Sequence, residues 1–149
     1  MSLTFKEAGT RDVSIVLNMM ISFNAIDNYP FDETLTRNNL EHFIVTPELG
    51  RLWIIYQDTL IAGYCVLAFG FSFEYKGRDA FIDEIYLKEE FRNKGIGKQI
   101  IQFIEVQAKQ LHIRTLHLEV ERHNASANKI YVDQGFSNND RMLLTKQLC

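Results

Sequence analysis

The clearest chemistry in this chain lies between Leu87 and Lys98, in the run Leu-Lys-Glu-Glu-Phe-Arg-Asn-Lys-Gly-Ile-Gly-Lys. A strand pattern ends at Leu87 and a helical pattern opens at Gly95. Such a helix start exposes about four backbone N–H groups without intrahelical partners and carries a partial positive charge. Gly95 and Gly97 let the backbone come close to an anion, and Arg92, Lys94 and Lys98 add positive charge around it. Phosphate or pyrophosphate binding is the chemistry this pattern suits. Two familiar phosphate loops fail on spacing. A dinucleotide-binding fingerprint needs a third small residue where Ile100 stands, and a Walker loop needs Ser or Thr where Gln99 stands. A glycine-containing turn with solvated lysines would give the same letters, so the loop alone does not decide.

The elements that must position this loop follow from hydrophobic periodicity. Leu3–Lys6 reads as a first strand. Thr10 is a helix N-cap, followed by Val13, Val16, Leu17 and Met20 at helical spacing. Asn24 to Pro30 reads as a loop, because Tyr29-Pro30 disfavours helix. A second helix is predicted from Asp32 to Val45, before Pro47. Leu52–Tyr56 and Leu60–Phe73 form two antiparallel strands across a turn at Gln57-Asp58. After a turn at Lys76–Asp79, Ala80–Leu87 is a strand rich in aromatic and β-branched residues. Gly95–Leu111 is a helix with Ile96, Ile100, Phe103, Ile104 and Leu111 on one face. Thr115–Val120 is a strand, Ala125–Gln134 a short helix ended by Gly135, and Met142–Leu148 a last strand. The order is β-α-α-β-β-β-α-β-α-β, an α/β or α+β domain with a mixed sheet.

Length and composition bound the rest. The chain has 149 residues, 46% hydrophobic and 23% charged, which suits one domain, 1–149, with one core. Sixteen Lys and Arg against nineteen Asp and Glu give a net charge of −3, unlike the basic footprint of a nucleic-acid binder. No run approaches the roughly 20 apolar residues that span a bilayer, and the first residues lack a basic segment followed by an apolar one, so a secretory signal is not expected. Cys65 and Cys149 form neither a disulfide framework nor a metal site, and a cytoplasmic location follows as the simplest expectation. The four histidines show no metal-ligand spacing, so no metal is expected.

Arg92-x-x-Gly95-x-Gly97 after a strand resembles the pyrophosphate-binding motif of the GNAT superfamily of N-acetyltransferases. Asn124-x-x-Ala127-x-x-x-Tyr131-x-x-x-Gly135-Phe136 resembles that family's second block, at the expected distance downstream. The order of elements matches as well. The resemblance weakens over residues 20–50 and 137–149. It implies a GNAT fold: a central mixed sheet of about six to seven strands, flanked by about four helices, with acetyl-CoA in a splay between two parallel strands. Those strands are Ala80–Leu87 and Thr115–Val120. The backbone of Ile85, Tyr86 and Leu87 would meet the pantetheine arm. Arg92, Asn93, Lys94, Gly95, Ile96, Gly97 and Lys98 would hold the pyrophosphate. Asn124 would touch the arm from the other side.

The resemblance further implies transfer of an acetyl group to a primary amine by direct attack in a ternary complex rather than through a covalent acyl-enzyme. The amine must be neutral to attack, so a base is needed, often acting through water. The Leu87 N–H suits the developing oxyanion. Tyr131 matches the family's tyrosine and would protonate the departing thiolate, although a helix tyrosine packed beside Phe136 reads the same way. Glu119 stands where ribosomal-protein alanine N-acetyltransferases carry their base. Asp83 and Glu84 stand where polyamine acetyltransferases carry an acidic pair, and strict strand alternation would put the two on opposite faces. Phe81 occupies the place of the histone acetyltransferases' glutamate, which argues against that mechanism. Glu84, Glu119 and water therefore all stay open as the base. Asp27, Tyr29 and Asp83 are candidate substrate contacts. The acceptor is a small-molecule amine or a protein or peptide amine, with no nucleic acid or membrane involved. A homodimer would suit the apolar strands. A non-catalytic acyl-CoA-binding or interaction module of the same fold is the alternative.

Overall fold

A computed structural model describes residues 2–149 and divides the chain into two compact units, Met1–Glu119 and Val120–Cys149. The first unit is built on a five-stranded sheet in the order β1-β2-β3-β4-β5: Leu3–Glu7, Gly50–Gln57, Leu60–Ser72, Gly77–Leu87 and Thr115–His117. The first three pairings are antiparallel, and β4–β5 is parallel. Helices α1 (Val13–Ile26), α2 (Glu33–Ile44) and α3 (Ile96–Gln110) pack on this sheet.

Alternation along the strands divides the core between two faces. On one, Leu52, Ile54, Tyr64, Val66 and Tyr86 bury against Val13, Val16, Leu17 and Met20 of α1 and Leu40 of α2. On the other, α3 presents Ile100, Ile101 and Ile104, all fully buried, with Ile96 and Ala108 continuing the stripe. Each such isoleucine contributes about 1.5–3 kcal/mol of burial. Phe103 of α3 stacks on Phe5, with ring centroids 3.9 Å apart, and meets Trp53 edge-on at 5.2 Å, tying α3 to β1 and β2. Helix starts follow local chemistry. Asp32 caps α2 by accepting from the Leu35 N–H at 3.0 Å, and Asp12 accepts from the Gly9 N–H at 2.8 Å ahead of α1.

The second unit holds α4 (Ala125–Asp133). Asn124 caps it, accepting from the Ala127 N–H at 3.2 Å, and the helix ends through bonds from the Gln134, Gly135 and Phe136 N–H groups into its last turn. Among the described residues no helix is long and apolar enough to cross a membrane.

Four expectations are corrected. The sheet has five strands among the described residues, not six to seven. Met142–Leu148 is not a strand: Met142, Leu143, Leu144 and Leu148 are between 68% and 86% exposed and pair with nothing regular. Apolar composition indicates that a segment fits a half-buried pleated surface, and this one lies on none. Thr115–Val120 shortens to Thr115–His117, because its pairing with β4 stops there. Helix α1 runs on through Ile26, past the loop expected from Asn24; the disfavoured residue before Pro30 lies three positions further along.

Candidate active site

The parallel ladder between β4 and β5 has three rungs, Asp79–Thr115, Ala80–Leu116 and Phe81–His117. Strand β4 then continues to Leu87, paired with β3 alone among the described residues. Its other edge, with alternate N–H and C=O groups, carries no strand partner there among the described residues. The register explains why the ladder stops. Val66 pairs with Glu84 while Leu67 pairs with Ile82, so Asp83 is an extra residue in β4, a β-bulge. Bulges bend and twist the strand that carries them, and this one lies two residues beyond the last rung. Across the short ladder, His117 Nε2 of the last rung lies 3.0 Å from Asp79 Oδ2 of the first, a mostly buried pair that ties β5 to β4.

The loop after β4 is anchored from both sides. Phe91 is buried, and the Arg92 Nε–H donates to the Leu87 carbonyl at 2.8 Å, with its guanidinium 5.8 Å from the Tyr86 ring. Asn93 and Gly95 take left-handed backbone angles, φ 61° and 77°, and Gly95 caps α3 with open space where a Cβ would stand. Lys94 and Lys98 are exposed beside this helix start, whereas the Ile96 side chain is core. The residues expected to hold an anion therefore sit together. Arg92 is in addition a strut between the loop and the end of β4.

The bulge also decides where Glu84 points. It breaks the alternation between Ile82 and Glu84, which pair with the neighbouring β3 residues Leu67 and Val66. Glu84 follows Tyr86 onto the face covered by α1 and α2, where the Tyr64 hydroxyl donates to its Oε1 at 2.6 Å. Glu84 lies in a cleft of about 470 Å3 walled by Met20 and Asn24 of α1, Leu35 and Thr36 of α2, and Pro30, Phe31 and Asp32 between them. Burial pushes the Glu84 carboxyl above the usual range; the Tyr64 hydrogen bond opposes this, and the negative charge of Asp83 adds to it. Burial raises Asp83 as well. The Tyr64 phenol is raised far beyond ionisation, by burial first and then by Glu84, so it is a permanent donor.

Other expected residues fall elsewhere. Asp27 ends α1 in an exposed position, and Tyr29 is 54% exposed, its N–H bonded to the Asn24 carbonyl at 3.0 Å. The three residues that follow Tyr29 form part of the cleft wall. Glu119 is exposed on the stretch after β5. In the second unit, Tyr131 lies 6.1 Å from Phe136, edge to face, and burial raises its phenol. Asn124 spends its side-chain oxygen on the α4 cap. Sequence reasoning missed Tyr64. The available signal was a phenol inside the apolar run Leu60–Phe73, since a buried tyrosine hydroxyl needs a partner. Which partner depended on the β3–β4 register.

Comparison with known proteins places the chain in a family. Residues 17–136 match the model of the acetyltransferase (GNAT) family. The chain is similar to the uncharacterized N-acetyltransferase YycN of Bacillus subtilis (strain 168), 36% identical over 50% of this chain and 47% of that one. It is equally similar, at 36% identity, to the thialysine N-epsilon-acetyltransferase of Bos taurus, over 50% of this chain and 44% of that one. The matched stretches thus span about half the length of these curated relatives. A predicted acetyltransferase of Clostridium acetobutylicum, solved with acetyl-CoA, shares the fold, with a TM-score of 0.81 at 17% identity over 97% of this chain and 96% of that one.

Proposed function

Because this chain belongs to the GNAT acetyltransferase family, we propose that it transfers the acetyl group of acetyl-CoA to a small primary amine, with Glu84 as the general base. The observation that carries the reading is Glu84 itself: a carboxylate with a raised pKa, held by one hydrogen bond, in a cleft large enough for a small molecule. The residues present fit acetyl-CoA as co-substrate. The unpaired edge of β4 suits a pantetheine arm, and the start of α3 with Arg92, Lys94, Gly95, Gly97 and Lys98 suits a pyrophosphate. Acetyl-CoA supplies an activated thioester; the chain supplies position and proton transfer.

A protonated alkylamine enters the cleft as a cation, drawn to Glu84 and Asp32. Glu84 takes its proton, and the neutral nitrogen attacks the thioester carbonyl, forming the C–N bond as the C–S bond breaks. Tyr131 is proposed as the donor that protonates the leaving thiolate, on the strength of the second motif; the newly acylated nitrogen sheds its surplus proton, which restores the phenol through water, and Glu84 returns the first proton to solvent. Asp83 is assigned to raising the basicity of Glu84 through its charge. Glu119, exposed and away from the cleft lining, is the weaker candidate for the base. The cleft supports this acceptor class, as does the name of the bovine relative, a thialysine N-epsilon-acetyltransferase. Residues 1–149 are proposed to act as one acetyltransferase domain.

The test is thiol release from acetyl-CoA against thialysine, a polyamine and a short peptide with a free N-terminus. Glu84→Gln should lower turnover on the preferred amine about 10²–10⁴-fold while leaving CoA affinity within about twofold, since it removes the base and not the cofactor contacts. Gly97→Glu should abolish CoA binding. Failure of the folded wild-type protein to bind acetyl-CoA would refute the proposal.

A further inference from the structure

We infer that Tyr64 is a positioning residue of this enzyme, whose buried hydroxyl fixes the Glu84 carboxylate so that its other oxygen, Oε2, receives the amine proton. The inference rests on the reading of Glu84 as base. Tyr64 is fully buried, and its ring is held by Tyr86 at 5.8 Å and by Phe23 at 6.4 Å, edge-on. Phe23 also packs on Tyr86 at 6.0 Å, so the three rings form one cluster between α1 and the sheet. A ring packed this way loses its rotamer freedom, and the hydroxyl is delivered to one place. That place is Glu84 Oε1, 2.6 Å away, a short bond of the charge-assisted kind.

The chemistry of the pair follows from this geometry. The phenol has one hydrogen and gives it to Oε1. An oxygen already accepting a hydrogen bond is the poorer proton acceptor, so the incoming proton goes to Oε2. The cross-strand register makes the arrangement depend on the bulge. Glu84 pairs with Val66 and Tyr86 with Tyr64, so Tyr64 and Glu84 are diagonal neighbours on the same face. Asp83 is the extra residue that brings Glu84 there.

The titratable and charged groups around Glu84 are Tyr64 of β3, Asp83 and Tyr86 of β4, and Asp32 at the start of α2, with Arg92 over Tyr86. Burial and Asp83 both favour the neutral acid, and among these influences the Tyr64 hydrogen bond favours the carboxylate. Removing the hydroxyl therefore moves Glu84 further up, and strengthening the donor moves it down.

The experiment is a pH titration of side-chain carboxyls by NMR on protein labelled with 13C at glutamate Cδ, with the Glu84 signal identified by its absence in Glu84→Gln. No acceptor is needed. In Tyr64→Phe, which keeps the ring, the Glu84 midpoint should rise by about one to two pH units. With 3,5-difluorotyrosine at position 64, a stronger donor of nearly the same shape, it should fall. The fluorinated protein serves if Tyr64→Phe does not fold. In turnover, Tyr64→Phe should lower kcat more than it changes KM for acetyl-CoA, with the acid limb displaced in the same direction as the NMR midpoint. A Glu84 midpoint unmoved by either substitution overturns the role of Tyr64. If Glu84→Gln also abolishes turnover, the base survives that result. Retention of full turnover by Glu84→Gln would instead remove the base, and the positioning role with it.

Discussion

Adding one methyl group at Gly63 should damage both the stability and the turnover of this protein. Gly63 lies in β3 opposite Leu87, where the two backbones approach unusually closely. A Cβ there would overlap the Tyr86 carbonyl oxygen, stand 2.9 Å from that carbonyl's carbon and 3.1 Å from Leu87 Cα. All three are backbone atoms, so no side chain can swing aside. The strands must part by about 1 Å, in a ladder whose normal spacing is about 4.8 Å. The nearest ladder bonds would lengthen from about 2.9 Å to nearly 4 Å, beyond a useful hydrogen bond. Two lost bonds at about 1 kcal/mol each, with about 1–3 kcal/mol of overpacking, give about 3–5 kcal/mol for Gly63→Ala. The displaced segment carries Tyr86 and, two residues before it, Glu84. A misplacement of about 1 Å at reacting groups can cost about 10²-fold in rate. Urea unfolding with turnover at saturating acetyl-CoA measures both. A Gly63→Ala protein that loses under about 1 kcal/mol and keeps wild-type turnover would refute the reasoning, because it would mean that the two strands separate without consequence for either fold or site.

Gly95→Ala should behave differently. Its Cβ would meet nothing, so only the left-handed backbone is penalised, by about 1 kcal/mol, and acetyl-CoA affinity measured by calorimetry should weaken as the loop shifts. The acid limb of kcat/KM should lie above the ordinary glutamate range, because burial raises Glu84 and activity is lost as pH falls through its titration. The same shift carries a stability sign. The folded protein holds the Glu84 proton more tightly than the unfolded chain, so this residue's contribution declines as pH rises from the ordinary glutamate value through the folded one. Glu84→Gln should therefore gain thermal stability over wild type at pH 8 relative to pH 5. Ile104→Ala, at a fully buried position of α3, should cost about 2–5 kcal/mol by denaturant unfolding with little effect on KM for the amine, since it faces away from the cleft.

Much of this fold was legible because its elements are locally marked. Helix α3 has its apolar stripe, α2 its Asp32 cap and Pro47 stop, and the β2–β3 hairpin its Asp58 turn, with Asp58 at φ 55°. The turn that opens α3 was equally legible, because a glycine pair at a helix start is a local signal. The acidic site was only half legible. Asp83 and Glu84 were visible as candidates, but the face of Glu84 followed from a bulge, which is a property of two strands together. Alternation along β4 breaks at Asp83, the one residue of that strand without a partner in β3, and of the two acids it is Glu84 that lines the cleft. Tyr64 was hidden for the same reason, since only the register brings it to Glu84. The tail from Met142 misled because apolar residues predict a strand only when a sheet is there to receive them.

The order of strands across the sheet equals their order along the chain from β1 to β4. Two of those pairings, β2–β3 and β3–β4, are hairpins between consecutive strands, while α1 and α2 intervene before β1 meets β2. The parallel β4–β5 pairing must wait for a crossover through α3 and rests on three rungs. Sheet formation should therefore begin in the central meander and finish at the β5 edge, where a long loop must close for only a short ladder. Conversely, the amides of β5 should exchange with solvent through openings that leave the β2–β3–β4 hairpins intact. The groove proposed for the cofactor thus borders the part of the sheet that opens most readily, and ligand bound along β4 would slow exchange most at that edge.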